Sequence, residues 1–482
     1  MIPRHKTALG RTDYSRPMRL ALSEGLISPE TSVLDYGCGR GNDVALLAGA
    51  GISCQGWDPK HCPLPPPAPA DIVNLGYVIN VIEDQEERVD ALKRAWALTR
   101  HVLVVSARMR FETLGQVLAP YSDGFITSRG TFQKFYDHGE LRDWISSATS
   151  EVPVAAAHGV FLIFREAQKR ESFLASRQRR TAPRLYAKRP EVILERHRLS
   201  FEEVVAFFGA RGRLPAASEV PTAAPLYRDI KGVDALLIAV REAVGPSTFD
   251  DLVSARRQDL LVYLCLSRFE GRPPLHKLSR DLQLDIHSLF PSYEVACKTA
   301  DEVLLKLRDR KEIETAFQCA SVGKLTGNAL YVHVSALNTL PLLLRVYEGC
   351  AKGYIGDVEG ATLAKLHRIE RKVSYLAYPD FDRVAHPALH SSLVVNLAAL
   401  KVRYNDYSSS DDPPVLHRKE LFVSTSYPKR DLFAKLTRQE ERLGLLTETE
   451  RIGTRSGWQA RLSALGVRVT GHRAIRAAPR QP

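Results

Sequence analysis

Apolar positions in the first third of the chain follow two alternating rhythms. SVLDY (32–36), ISCQGW (52–57), the start of DIVNLGYVINVIE (71–83) and HVLVVSAR (101–108) are short apolar runs of the kind that form buried strands. Between them, MRLALSEGLI (18–27), DVALLAGA (43–50) and EERVDALKRAWALTR (86–100) have helical spacing; in the last, Val89, Leu92, Ala95 and Trp96 share one face. Strands alternating with helices predict an α/β domain with a parallel sheet. ELRDWISSA (140–148) adds a helix and GVFLIFR (159–165) a closing strand, so the reading gives one domain over 1–166. Only PKHCPLPPPAPA separates Asp58 from Asp71. That stretch is too short and too proline-rich for a strand plus a helix, so the third strand unit is abbreviated.

The rhythm then changes. Residues 167–198 read as a basic linker, with eleven Lys/Arg against four Asp/Glu between Arg165 and Arg198. From 199 to 450 the pattern predicts a mostly α-helical region with a possible role in DNA binding, typified by FEEVVAFFGARG (201–212) and RRQDLLVYLCLSRFE (256–270). PPLHKLSRDLQLDIHSLF (273–290) has room for a helix-turn-helix. Residues 451–482 carry seven Arg and no acid, and read as a frayed basic tail.

Composition narrows the partners. Over 482 residues, 67 Lys+Arg against 55 Asp+Glu give a net charge of +12, which favours polyanions such as nucleic acid. Seven scattered cysteines form no disulfide framework, the N-terminus lacks the apolar core of a signal peptide, and no run approaches the length of a membrane span. The expectation is a soluble cytoplasmic protein without a membrane partner.

The strongest chemical signal is VLDYGCGRGND (33–43): a strand delivering Asp35, then Gly37, Cys38, Gly39 and Gly41, then a helix. Glycines let the backbone turn and approach a ligand closely. A P-loop would need Lys-Ser/Thr after the glycines, and a dinucleotide fingerprint would need Gly or Ala where Asn42 stands. The pattern is instead similar to the first motif of class I S-adenosylmethionine (AdoMet)-dependent methyltransferases. Asp58, 21 residues after Gly37, ends the next strand where a carboxylate can accept ribose hydroxyls. Asp35, Gly37, Cys38, Gly39, Gly41, Asp58 and Asn74 are therefore the expected AdoMet-binding residues. Cys38 is a small loop residue rather than a nucleophile, and Arg40 faces outward. No metal is expected.

In this class the substrate faces the loop after the strand that here begins at Asp71. Asn74-Leu75-Gly76-Tyr77 is similar to the N-P-P-Y motif of amino-directed DNA methyltransferases, without its prolines. Asn74 and Tyr77 are the candidate catalytic residues: the Asn to accept hydrogens from an amine, the Tyr to stack on a flipped base. Read without the motif, Asn74 caps a loop and Tyr77 packs in the core. Phe132, Lys134, Phe135 and Tyr136 in GTFQKFY (130–136) form either a nucleic-acid surface or a cover over the sheet edge.

At RHKTALGR (4–11), SVLDYGCGRGND (32–43), ADIVNLGYVINVIED (70–84), GTFQKFY, GNALYVH (327–333), KVSYLAYPDFD (372–382), HPALH (386–390) and PPVLHRKELFV (413–423) the chain resembles the DNA phosphorothioation-associated methyltransferases. The resemblance implies a Rossmann-like class I methyltransferase domain, a large family-specific region, AdoMet as cofactor, and action on DNA in a bacterial phosphorothioate modification system beside its other proteins. Among the distal motifs, His386 and His390 could share a helix face as metal ligands, though core or surface roles are the simpler reading. Tyr375, Tyr378 and Phe381 read as core, and LHRKE (416–420) as a basic or salt-bridged surface. Two rivals remain: a non-catalytic methyltransferase-fold DNA sensor, and an RNA or small-molecule methyltransferase.

Overall fold

A computed structural model describes residues 2–8, 10–113, 117–180, 196–230, 232–447 and 450–476. The chain forms two compact units, one of 1–166, 320–339 and 350–482, the other of 167–319 and 340–349.

In the first unit, β1 (Val33–Tyr36), β2 (Cys54–Trp57), β3 (Ala70–Gly76) and β4 (Thr99–Ser106) are parallel neighbours in the order β2-β1-β3-β4. Three further strands, β5 (Leu118–Tyr121), β6 (Gly124–Thr127) and β7 (Phe132–Gln133), form a small antiparallel sheet of their own. The main sheet ends with β8 (Val154–Ala157) and β9 (Val160–Phe164), β9 pairing antiparallel with β4. Helices α1 (Arg16–Ser23), α2 (Asn42–Gly49), α3 (Gln85–Ala97) and α4 (His138–Thr149) accompany it. Leu34, Val73, Leu75, Leu103, Val105, Phe161 and Ile163 fill the core with no exposed surface. Asp84 starts α3 by accepting from Glu87 N, and an Asp137/Glu140 capping box starts α4.

The strand order is that of a Rossmann-like doubly wound sheet. The chain leaves β1 for β2 on one side and returns to β3 on the other, so the order reverses between β1 and β3. Among the described residues no strand lies beyond β2, in keeping with the abbreviated third unit. Instead the proline-rich segment folds back on β2: Cys62 exchanges backbone hydrogen bonds with Asp58, and the Gln55 side chain holds the segment farther on. Gln55 Nε2 donates to Pro66 O at 3.0 Å, and Ala68 N donates to Gln55 Oε1 at 3.1 Å.

The sheet-cover reading of GTFQKFY holds, and the nucleic-acid surface does not. Phe132, Phe135 and Tyr136 are buried, while Lys134 pairs with Asp123 at 3.2 Å and Glu140 at 2.8 Å.

The region expected to be mostly helical over 199–450 also contains a sheet that the expectation did not include. Strands β10 (Lys324–Leu325), β11 (Ala329–His333), β12 (Leu363–His367), β13 (Lys372–Ala377), β14 (Ser391–Asn396) and β15 (Lys401–Asp406) form an antiparallel meander. Tyr375, Tyr378 and Phe381 are buried there. His386 and His390 lie outside any helix; His386 pairs with buried Glu440 at 2.7 Å, and no metal-holding His/Cys/Asp/Glu group occurs among the described residues. Lys419 of LHRKE is buried rather than at the surface, donating to Phe381 O and Val384 O at 2.6 Å each and reaching His472 Nε2 at 3.0 Å.

The C-terminal segment is folded, not frayed, through residue 476. It forms a helix at Arg455–Ala464, whose Trp458 is buried, and a hairpin of β16 (Val467–Thr470) and β17 (Arg473–Arg476). Its last six residues lie outside the described ones.

The second unit is helical: α5 (Ala167–Ser176), α6 (Arg198–Arg211), α7 (Ala224–Asp229), α8 (Val233–Val244), α9 (Pro246–Ser267), α10 (Arg280–Leu289), α11 (Tyr293–Lys306) and α12 (Arg310–Gln318). Phe201, Val204, Phe208, Leu226, Leu236, Val240 and Phe249 make one core. Part of the expected linker belongs to this fold: α5 buries Glu171, whose carboxylate accepts from the Tyr263 hydroxyl at 2.7 Å. Residues 181–195 of that linker lie outside the described ones. The 273–290 stretch holds a short 3₁₀ turn and the single helix α10, not a helix-turn-helix. No helix among the described residues is long and apolar enough to cross a membrane.

Candidate functional site

Asp35 and Asn74 sit opposite each other at the carboxyl ends of β1 and β3, where the strand order reverses. Both are buried, and Asn74 Nδ2 donates to Asp35 Oδ1 at 2.8 Å. The amide is oriented by this bond, which leaves Asn74 Oδ1 buried without a hydrogen-bond partner.

The glycine loop wraps this pair. Gly37, Gly39 and Gly41 all have positive φ, at 88°, 52° and 73°. Gly37 is the most constrained of the three, since an added Cβ would lie 2.3 Å from Val78 Cγ2 and force it to move. The loop spends much of its own hydrogen-bonding capacity. Gly37 N and Cys38 N donate to Trp57 O at 2.7 and 3.1 Å, and Gly41 N donates to Cys38 O at 2.9 Å. What it offers a ligand is therefore absent side chains rather than those N–H groups. Asp58 follows β2 immediately. Its Oδ2 accepts from Gly39 N at 3.2 Å, and its Oδ1 from Lys60 N and His61 N at 2.9 and 2.8 Å.

The site is acidic. Burial first, then the neighbouring Asp43 and Asp58 carboxylates, push the Asp35 carboxyl up to about 7, against the opposing bond from Asn74. Burial first, then Asp35, Cys62 and Asp58, push the Cys38 thiol up to about 12, in line with a packing role rather than a nucleophile. Arg40 is exposed.

Tyr77 is half-buried and held at φ 59°, a left-handed conformation that costs an aromatic residue about 1–3 kcal/mol. Its N–H donates to Ser106 O at 3.0 Å, and the Arg11 guanidinium lies 5.8 Å from its ring centre. The structure thus gathers Asp35, the glycines, Asp58, Asn74 and Tyr77 at one switch point. It seats Asn74 in the floor, hydrogen-bonded to Asp35.

Sequence reasoning missed the N-terminal arm. Arg4 clasps Glu83 at 2.6 Å and Glu87 at 2.5 Å, Ser15 N donates to Asp43 Oδ1 at 2.7 Å, and Arg11 N donates to Asn42 Oδ1 at 3.3 Å. Ala8 Cβ lies 3.1 Å from where a Gly39 Cβ would stand. The available signal was RHKTALGR itself, a basic run preceding a domain whose complementary acids lie at 83 and 87.

No protein-family profile matches the chain, and no curated protein is similar to it. Solved structures of methyltransferases are similar to part of it. The 1,6-didemethyltoxoflavin-N1-methyltransferase of Burkholderia thailandensis is 16% identical over 34% of this chain and 78% of its own, with a TM-score of 0.23. The amino pentose methyltransferase CalS10 of Micromonospora echinaspora is 14% identical over 33% and 94%, TM-score 0.24. Magnesium protoporphyrin IX methyltransferase of Synechocystis is 13% identical over 34% and 93%, TM-score 0.24. These scores are low, and the fold assignment rests on the strand order and switch-point loop. Those features define a Rossmann-like α/β domain with a glycine loop at its switch point.

Proposed function

We propose that this chain is an AdoMet-dependent methyltransferase that methylates an amine of DNA in a bacterial phosphorothioate modification system. The observation that carries the cofactor reading is the Asp35–Asn74 pair: a buried carboxyl beside a buried acceptor oxygen with no donor. Together with Asp58 this acceptor-rich set suits a cationic nucleoside rich in N–H and O–H groups. The φ-positive glycines, one with little room for a Cβ, give such a ligand close backbone approach. The residues therefore fit AdoMet, which supplies an electrophilic methyl group when bound.

The chain's own part is placement. Asp35 and the loop hold the cationic amino-acid end, and Asp58 holds the sugar. Asn74 divides its work: Nδ2 fixes Asp35, and Oδ1 accepts a hydrogen from the acceptor amine. Tyr77 offers its ring to the base. Alignment of nucleophile and methyl lowers the barrier without a covalent enzyme intermediate. Support for DNA is the net charge of +12 and the resemblance along nearly the whole chain.

The test is calorimetry with AdoMet followed by mass spectrometry of nucleosides from ordinary and phosphorothioated DNA incubated with the protein. Saturable AdoMet binding lost in Asp58→Ala, with a new methylated nucleoside, supports the proposal. DNA binding without AdoMet binding would establish the sensor instead, and methyl incorporation only into RNA or small molecules would overturn the DNA assignment.

A further inference from the structure

Among the described residues, the second unit holds a cluster of arginines that outnumber the carboxylates they are paired with. Arg179, Arg180, Arg211, Arg213, Arg256 and Arg345 surround Asp259, Asp281, Asp285 and Glu219, six guanidiniums to four carboxylates. Five of the six are well engaged. Arg211 donates to Asp285 and Asp281 at 2.5 and 2.6 Å, and Arg213 to Asp285 at 2.6 Å and to Glu219 at 2.7 Å. Arg256 and Arg345 both bond Asp259, at 2.9 and 2.8 Å, and Arg180 bonds Gln258 at 2.9 Å.

Arg179 differs. Among the described residues its nearest carboxylate oxygens are on Asp285 at 3.6 Å and Asp281 at 3.7 Å, beyond hydrogen-bonding distance, and Arg211 already bonds both of those oxygens. Burial first, then the like charges of Arg211 and Arg256, press its guanidinium below its ordinary pKa. Its side chain is still 28% exposed, at the mouth of a small cleft that opens to solvent. Arg179, Arg211, Arg256, Asp259, Asp285 and Leu289 are among the residues lining that cleft.

A guanidinium held among other guanidiniums, with its fork unspent, is costly unless an anion completes it. We infer that this cleft is an oxyanion site, taking a phosphate group in the fork of Arg179. The group's source is either a free phosphate or a phosphodiester of nucleic acid; the chemistry of the site is the same for both. The inference stands apart from the proposed methyl transfer, because every residue it uses lies in the second unit and its readout requires no cofactor.

The experiment follows thermal unfolding of the full chain as inorganic phosphate replaces chloride at constant ionic strength, with Arg179→Gln and Arg179→Lys beside the wild type. The expected result is a saturable rise of several degrees in wild type, absent in Arg179→Gln and reduced in Arg179→Lys, as anion binding to the folded state requires. Line broadening of the phosphate ³¹P resonance by wild type, and not by Arg179→Gln, gives the same answer independently of stability. A second arm measures anisotropy of a labelled single-stranded oligonucleotide. At least tenfold weaker binding by Arg179→Gln assigns the site to a phosphodiester, and equal binding alongside the phosphate response assigns it to the free ion. No phosphate response in wild type, or an equal response in Arg179→Gln, overturns the site.

Discussion

The switch point of the first unit and the arginine cluster of the second are buried charge assemblies of opposite imbalance. At the former, Asp35, Asp43 and Asp58 crowd together, with Arg11 the cation that tempers Asp35. At the latter, six guanidiniums face four carboxylates. A folded chain keeps such an imbalance at a cost to its own stability. The acid-rich assembly suits a cationic ligand and the arginine-rich one an anionic ligand. They also differ in how they carry strain: the first holds a carboxyl that resists ionising, the second holds charges fixed by a lattice of forks.

The difference can be broken from either side. The largest effect is expected from Asp285→Ala, which leaves Arg211 and Arg213 buried without their shared carboxylate. Loss of about 3–5 kcal/mol is expected, read as an early transition of the second unit in urea by hydrogen exchange of its helices. Asp35→Asn should act in the opposite direction. Because the Asp35 pKa rises from 3.8 to about 7 in the folded state, its contribution to stability is full below pH 4 and falls as pH climbs through 7. The variant should match wild type at pH 4 and exceed it at pH 8, by up to roughly 4 kcal/mol by linkage. Its AdoMet affinity should drop, while wild-type affinity should weaken as pH falls below 7, because Asp35 must shed a proton to meet a cation. A variant less stable than wild type at pH 8 would contradict this reading of the site.

Gly37→Ala probes shape rather than charge. With φ at 88° and Val78 in the way, it should cost about 1–3 kcal/mol and abolish AdoMet binding by calorimetry. Arg4→Ala should be the mildest. Arg4 and its partner Glu87 are partly or largely exposed, so unfolding should shift by less than about 1 kcal/mol, within the range of surface pairs. Faster exchange of the arm's amide hydrogens in that variant would sharpen the contrast between surface pairs and the buried lattice.

The parallel sheet was legible because its signals are local. VLDYGCGRGND places strand, glycine turn and helix in eleven adjacent residues, and the short gap before Asp71 leaves β2 without a further neighbour. The antiparallel meander was less legible, because one of its pairings is distant and its central strand does not alternate. KVSYLA has four consecutive buried residues, and Ala329 pairs with His367, far along the chain. Arg179 and Arg180 fall in the stretch read as a basic linker, and nothing local to either announces Asp259 or Asp285. At the site, Asp35 and Asn74 were each legible as candidates. Their hydrogen bond was not, because it depends on two strands becoming neighbours.

The Gln55 clasp on the proline-rich segment has a consequence for colloidal behaviour. A sheet that stops at β2 presents a bare row of backbone groups, the kind of border along which separate molecules stitch together. Residues 62–70, largely devoid of donors and bound to Gln55 through both amide atoms, fence that border. Replacing Gln55 so that the fence comes loose should make the protein clump more readily as its concentration rises.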